Sequence, residues 1–253
     1  MNTKTVWIFG GAGYLGAPIS EALDRCCAKV VCFDLPGRAG ALVREKSLSR
    51  TVACDLDIAQ TESLEASLDA VIAQEGIPDG MVNLTAASSS GIRLPDLSAD
   101  DFQKTITRAL TSSFVLGRFL GEKMKTNGGG SIVSYSSMYG LVSPDPRIYR
   151  APMAPNPIDY GASKAAIIQM TRYFAVHYGP DNVRFNALAP GPFPNPNIQR
   201  DHPDFIKDLE QKTPMHRVGR SEEMVAPTLF LLGDGASYVT GQCLAVDGGW
   251  TAW

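Results

Sequence analysis

The chain has 253 residues, 44% of them hydrophobic and 19% charged, a balance that supports a buried core and excludes a disordered, coiled-coil or collagen-like chain. Its 23 basic and 26 acidic residues leave a formal charge of −3, which argues against a protein built to hold nucleic acid phosphates. No apolar run reaches the roughly 18 residues of a membrane span, and the stretch from Met1 to Gly10 lacks the pattern of a secretory leader.

Short apolar runs alternate with longer helical patterns. Strands are expected at Val6–Phe9, Val30–Phe33, Thr51–Cys54, Met81–Leu84, Ile132–Tyr135, Val183–Leu188 and Leu244–Val246. Helices are expected at Leu15–Cys27, Thr61–Gln74, Ala99–Met124, Tyr160–His177 and Glu222–Leu232. Asn127 and the glycines Gly128 to Gly130 stop the longest of them. Continuous apolar strands joined by helices imply a parallel sheet covered on both faces. No linker or repeat divides the chain, so residues 1–253 are read as one domain. Two Pro-rich stretches, 144–157 and 190–203, follow late strands, where ligand-contacting loops of such sheets lie. The five cysteines (Cys26, Cys27, Cys32, Cys54, Cys243) have no metal-type spacing and read as reduced thiols of a cytoplasmic protein. His177, His202 and His216 show no metal spacing either, and no metal is expected.

The glycine run Gly10 to Gly16 follows the first strand and opens the first helix. In that context Gly10 permits a tight turn, Gly13 lets backbone N–H groups approach a pyrophosphate, and Gly16 allows close helix–strand packing. The helix N-terminus favours the anion, and Tyr14 and Leu15 complete the turn. Asp34 ends the second strand, where a carboxylate binds ribose hydroxyls and repels a 2′-phosphate; NAD is favoured over NADP, although Arg38 stands near enough to swing in. Asp55 and Leu56 follow the third strand, Asp55 as a neighbour of the adenine ring or as a solvated loop acid.

Tyr160 and Lys164 are four residues apart and share one helix face. Bringing a phenol from its ordinary pKa near 10 to neutral pH takes about 4 kcal/mol. One cation about 4 Å away supplies that much at an effective dielectric near 20.

With these residues in place the sequence resembles the short-chain dehydrogenase/reductase family nearly end to end. The resemblance runs through the glycine turn, Asp34, Asp55, Val82-Asn83, Ser136-Ser137, Tyr160 with Lys164, Asn186, Pro190-Gly191 and the ending Gly241-Gln242 through Gly249. It implies a seven-stranded, doubly wound Rossmann-type subunit, a nicotinamide cofactor, a small-molecule substrate and a homotetramer. By the family pattern Ser137 hydrogen-bonds the substrate oxygen, Tyr160 exchanges its proton, and Lys164 binds the nicotinamide ribose and lowers the Tyr160 pKa. Asn83 supports the cofactor side of the sheet, and the backbone from Pro190-Gly191 to Phe193 faces the nicotinamide. The function implied is interconversion of a secondary alcohol and a ketone.

Three departures from the pattern stand out. Tyr14 occupies a position that is usually Gly, and the resulting glycine spacing is that of the longer, sugar-nucleotide-modifying branch. Ala109 replaces an Asn that anchors a proton-relay water, so that role is not transferred; Thr105, Arg108, Thr111 and Ser112 are the alternatives. Finally, 23 residues separate Ser137 from Tyr160, where the family commonly has about a dozen. The extra loop, about 143–157, brings Arg147 and Arg150 to pair with a substrate carboxylate or phosphate and Tyr149 to stack on a ring, or else it is a solvated or interface loop. Similar loops occur in members acting on sugar-derived compounds, so a sugar-derived or polyol substrate is expected. The segment 192–216 reads as a substrate cover, and Trp250 and Trp253 as residues that pack at a subunit interface or reach a neighbour's site. The competing functions are a non-catalytic dinucleotide sensor and a sugar-nucleotide epimerase or dehydratase.

Overall fold

The computed structural model describes residues 1–151 and 153–253; Pro152, part of the extra loop, lies outside the described residues. Seven strands form one parallel sheet: β1 (Thr5–Phe9), β2 (Lys29–Asp34), β3 (Thr51–Asp55), β4 (Gly80–Asn83), β5 (Gly130–Tyr135), β6 (Val183–Pro190) and β7 (Cys243–Val246). Their order is β3-β2-β1-β4-β5-β6-β7. Side chains alternate across a strand, so each strand feeds two cores. Trp7 and Phe9 of β1 join Phe33, Leu64, Leu116, Leu120, Phe174 and Tyr178 on one face. Val6 and Ile8 join Ile19, Leu23, Leu42 and Leu231 on the other.

Helices α3 (Thr61–Glu75), α5 (Ser112–Thr126) and α6 (Ile158–Tyr178) cover the first face; α1 (Gly16–Cys26), α2 (Arg38–Glu45) and α9 (Val225–Leu232) cover the second. Chain order reverses direction between β1 and β4. That is the switch point at which a doubly wound sheet opens a crevice beyond its carboxyl ends.

Every strand expected from sequence is present, and so are the five expected helices. Three differences matter. The long helix is not uniform: α4 (Ala99–Ile106) passes through one π turn, Thr107–Thr111, before α5 begins. Ser113 Oγ donates to the Ala109 carbonyl at 2.7 Å and accepts from Asn83 Nδ2 at 3.0 Å, tying this turn to the end of β4. In addition, α2 was not anticipated, and the segment 192–216 contains two short helices, α7 (Pro196–Asp201) and α8 (Pro203–Lys212). Among the described residues no helix is long and apolar enough to cross a membrane.

Candidate active site

The glycine turn is built by contact. Gly10 has φ +77°, which favours glycine, and a Cβ on Gly16 would collide with the Gly10 carbonyl oxygen. Ala12 N and Leu35 N donate to the two oxygens of Asp34 at 3.0 and 2.9 Å, fixing this buried carboxylate beside the turn. Arg38 lies 3.3 Å from Asp34, so its charge is engaged there. A cavity of about 420 Å³ runs between Gly10, Gly13, Asp34, Leu56 and Ile58 on one side and Leu84 to Ala87 on the other. The stacked rings of Phe9 and Phe33, 4.4 Å apart, line it as well. The bare glycine backbone, the helix N-terminus behind it and one fixed carboxylate fit a dinucleotide in this crevice.

Three expected cofactor residues sit differently. Asp55 is exposed and accepts from Gly37 N at 3.0 Å; Leu56, Asp57 and Ile58 form the wall instead. Tyr14 is half-buried and Leu15 packs against the core under α1, and neither walls the cavity. Arg108 of the π turn does wall it, a position that sequence reasoning had weighed only for a proton relay.

The residues expected to be catalytic are brought together where α6 clamps onto the turn after β5. Ser136 Oγ donates to the Lys164 carbonyl at 2.7 Å, and a Cβ on Gly140 would meet both Ser136 Oγ and the Lys164 backbone. This close approach sets Ser137 beside Tyr160. Ser137 Oγ also accepts from Tyr139 N at 3.1 Å, which holds its rotamer. The Lys164 amine is buried and donates to the carbonyls of Tyr135, at 2.7 Å, and Thr85, at 3.3 Å. Burial pulls its pKa from 10.5 down to about 8.

The sequence expectation that Lys164 lowers the Tyr160 pKa is not met by this arrangement. Burial pushes the phenol above its ordinary value, and the neighbouring Ser137 hydroxyl opposes that rise. The physical reason is the direction of the amine. It lies 5.7 Å from the centroid of the Tyr160 ring, with two of its three protons directed to the sheet carbonyls.

Asn83 accepts from Thr85 N and Thr85 Oγ1 at 3.1 and 2.6 Å, so it shapes the carbonyl that receives Lys164. Gly191 N donates to Val246 O at 3.0 Å after Pro190 ends β6, and Phe193 packs against Gly219, where a Cβ would strike its ring. Asp159 was missed in sequence. Wholly buried in the first turn of α6, it accepts from Ser89 N at 3.2 Å and fastens the loop after β4. Ser113 and Tyr139 were missed too, because only the fold brings them to this end of the sheet.

The extra loop folds over this site. Arg147 pairs with Asp145 at 2.7 Å, Arg150 with Asp208 of α8 at 2.9 Å, and Tyr149 packs on Phe205 of α8 with ring centroids 5.2 Å apart and planes tilted by 41°. The two arginines expected to meet a substrate anion are thus engaged with protein carboxylates. A larger apolar cavity, about 670 Å³, opens on the far side of Tyr139 between Leu94, Leu97, Val142, Pro157 and Ala162; Ser137, Tyr160 and Lys164 do not line it.

Sheet order, glycine turn and crevice define a dinucleotide-binding α/β protein. The family model described as enoyl-(acyl carrier protein) reductase matches residues 12–251. The chain is 31% identical over its whole length, and over 98% of the relative, to a 2,5-dichloro-2,5-cyclohexadiene-1,4-diol dehydrogenase of Sphingobium indicum. It is 29% identical to an NAD-dependent glycerol dehydrogenase of Listeria innocua, covering 99% of this chain and 95% of that one. The crystal structure of a short-chain dehydrogenase from Leptospira borgpetersenii with bound NAD+ superposes with a TM-score of 0.85 at 29% identity, covering 99% and 94% of the two chains. The chain belongs to the short-chain dehydrogenase/reductase family, oxidoreductases that act on CH–OH groups with NAD(P).

Replacing Gly16 by Ala should lower stability by about 1–3 kcal/mol through overpacking and weaken NADH binding. Urea unfolding and NADH fluorescence titration check both, and an unchanged variant would show that the turn tolerates a side chain.

Proposed function

We propose that the protein is an NAD-dependent oxidoreductase interconverting a secondary alcohol and a ketone, with a polyol or sugar-derived compound as substrate. The observation that carries this reading is the clamp of α6 against the turn after β5, which sets Ser137 beside Tyr160, while Lys164, one helical turn beyond Tyr160, donates to Thr85 in the wall of the dinucleotide crevice. Bound in that crevice, the cofactor supplies the hydride acceptor. Asp34 would hold the adenosine ribose hydroxyls and disfavour a 2′-phosphate, which supports NAD over NADP. Ser137 would donate to the substrate oxygen, and Tyr160 would exchange the proton with it. Lys164, held on two carbonyls, would present its charge to the nicotinamide ribose and relay protons toward Thr85. The five cysteines are free, and Cys26 and Cys27 stand unbonded with sulfurs 3.9 Å apart, which supports a reducing, cytoplasmic setting.

Because burial holds the Tyr160 phenol protonated at neutral pH, it is ready as a proton donor for ketone reduction and must ionise to accept a proton from an alcohol. Alcohol oxidation should therefore accelerate as pH rises above neutral, and ketone reduction should slow. Tyr160→Phe should lower kcat by about 100-fold or more while NADH still binds. A variant that keeps its rate, or an oxidation profile that falls with pH, would remove Tyr160 from the reaction.

An exposed stripe of α6 supports self-association into a homotetramer. Ile158, Ala162, Ala165, Gln169, Tyr173 and Val176 recur at helical spacing, and Tyr173 and Val176 are 68% and 81% exposed. Phe114 of α5 and Leu94, Leu141 and Val142 at the rim of the large cavity add further exposed apolar surface. Such a face suits pairing with a second copy through its own equivalent. Light scattering should give a multimer for the native chain and a smaller species for Tyr173→Glu combined with Val176→Glu; an unchanged mass would move the interface elsewhere.

A further inference from the structure

The extra loop sorts its side chains by polarity. Arg147 and Arg150 are exposed on its outer side, Ile148 between them is buried, and Tyr149 is half-buried. The outer cations meet carboxylates there. Asp145 receives both Arg147 and Lys212 of α8, Asp208 receives Arg150, and past α8 Arg217 is bidentate on Glu223 at 2.7 and 2.8 Å. On the loop after β4, Arg93 is paired with Asp96 at 2.6 Å. Among the described residues, the cations of the overhanging segments are thus tied to protein carboxylates.

The inner side is different. Ile148 and Tyr149 pack with Met138, Tyr139, Leu209 and Trp250 in one cluster against Tyr160. Besides Tyr160 itself, the hydroxyls of this cluster are the phenols of Tyr139 and Tyr149, which hydrogen-bond each other at 2.8 Å. With one phenol donating to the other, the pair keeps one free proton, and Asn156 beside the Tyr149 hydroxyl leaves the Tyr139 hydroxyl as its more open oxygen. They can therefore meet a third hydroxyl, which itself both donates and accepts.

We propose that the substrate is an uncharged, ring-shaped secondary alcohol carrying a second hydroxyl beside the reacting one, and that the Tyr139–Tyr149 pair binds that second hydroxyl. A carboxylate or phosphate would need a cation at the inner face, and the loop turns its cations outward. Aromatic and aliphatic walls suit the face of a ring. An open-chain polyol would set several hydroxyls against walls that cannot pair with them. This assignment rests on the oxidoreductase reading above and narrows its substrate.

The test uses the full-length enzyme with NAD and four probes: cis-cyclohexane-1,2-diol, cyclohexanol, 4-hydroxycyclohexanecarboxylate and galactitol. NADH absorbance gives kcat and KM separately for each. The expected order of kcat/KM puts the diol first and the carboxylate and galactitol last. Tyr149→Phe and Tyr139→Phe should each lower the diol-to-cyclohexanol ratio by about three- to tenfold, the worth of one neutral hydrogen bond, mainly through KM. The ratio cancels any general loss from disturbed packing. A preference for the carboxylate that vanishes in Arg150→Gln, a preference for galactitol, or a ratio unchanged in both phenylalanine variants would overturn the assignment while leaving the oxidoreductase reading intact. Failure to oxidise all four probes, with NADH still bound, would overturn that reading and the substrate assignment with it.

Discussion

A buried ammonium organises this end of the molecule. Lys164 is 2% exposed, and leaving water costs its charged form heavily unless hydrogen bonds compensate. The carboxyl ends of a parallel sheet offer that compensation, because the last carbonyls of neighbouring strands point outward without partners. Tyr135 closes β5 and Thr85 follows β4, and the amine bridges them. For the amine to reach both, α6 must approach closely. That requirement explains Gly140, the Ser136 hydroxyl on the Lys164 carbonyl, and the buried Asp159 that fastens the loop after β4. Tyr160 and Ser137 take their places as consequences of the same approach.

The constraint reaches further along the crevice. Asn83 shapes the turn that presents Thr85 O, and its amide donates to Ser113, whose hydroxyl grips Ala109 in the π turn. Arg108, beside Ala109, walls the crevice opposite Asp34 and Leu56. One chain of hydrogen bonds thus joins the amine to a backbone irregularity and to the cofactor wall. The irregularity stands where a polar side chain is usual in the family. Ser113, one helical turn onward, is the hydroxyl that meets the π-turn backbone here.

The strands, the glycine turn and the Tyr160–Lys164 pair were legible because each is a local pattern: an apolar run, a turn opening a helix, two residues one helical turn apart. The stopping point of the long helix was legible in Asn127 and its glycines for the same reason. The π turn was not, since it is a hydrogen-bond register and leaves no mark in residue type. Helix α2 escaped because it is only eight residues long, contains Gly40 and buries no more than Ala39 and Leu42. The partners of Arg147 and Arg150 depend on where α8 comes to rest, which no spacing between residues 145 and 208 reveals. The direction of the Lys164 amine was missed for a related reason. Four-residue spacing puts it on the same helix face as Tyr160, but the two carbonyls that take its protons lie at and just beyond the ends of strands distant in sequence.

The most direct measurement of this account is an NMR titration of the Lys164 side-chain amine in the cofactor-free enzyme, assigned by comparison with Lys164→Arg. The account predicts a midpoint near 8, because burial penalises the charged form more than the two carbonyls restore it. Between that value and 10.5 the folded protein would bind fewer protons at this site than the unfolded chain, so this one group adds stability as pH rises. A midpoint at the ordinary value of 10.5 would mean that the amine is solvated, and the clamp that places Tyr160 would lose its cause.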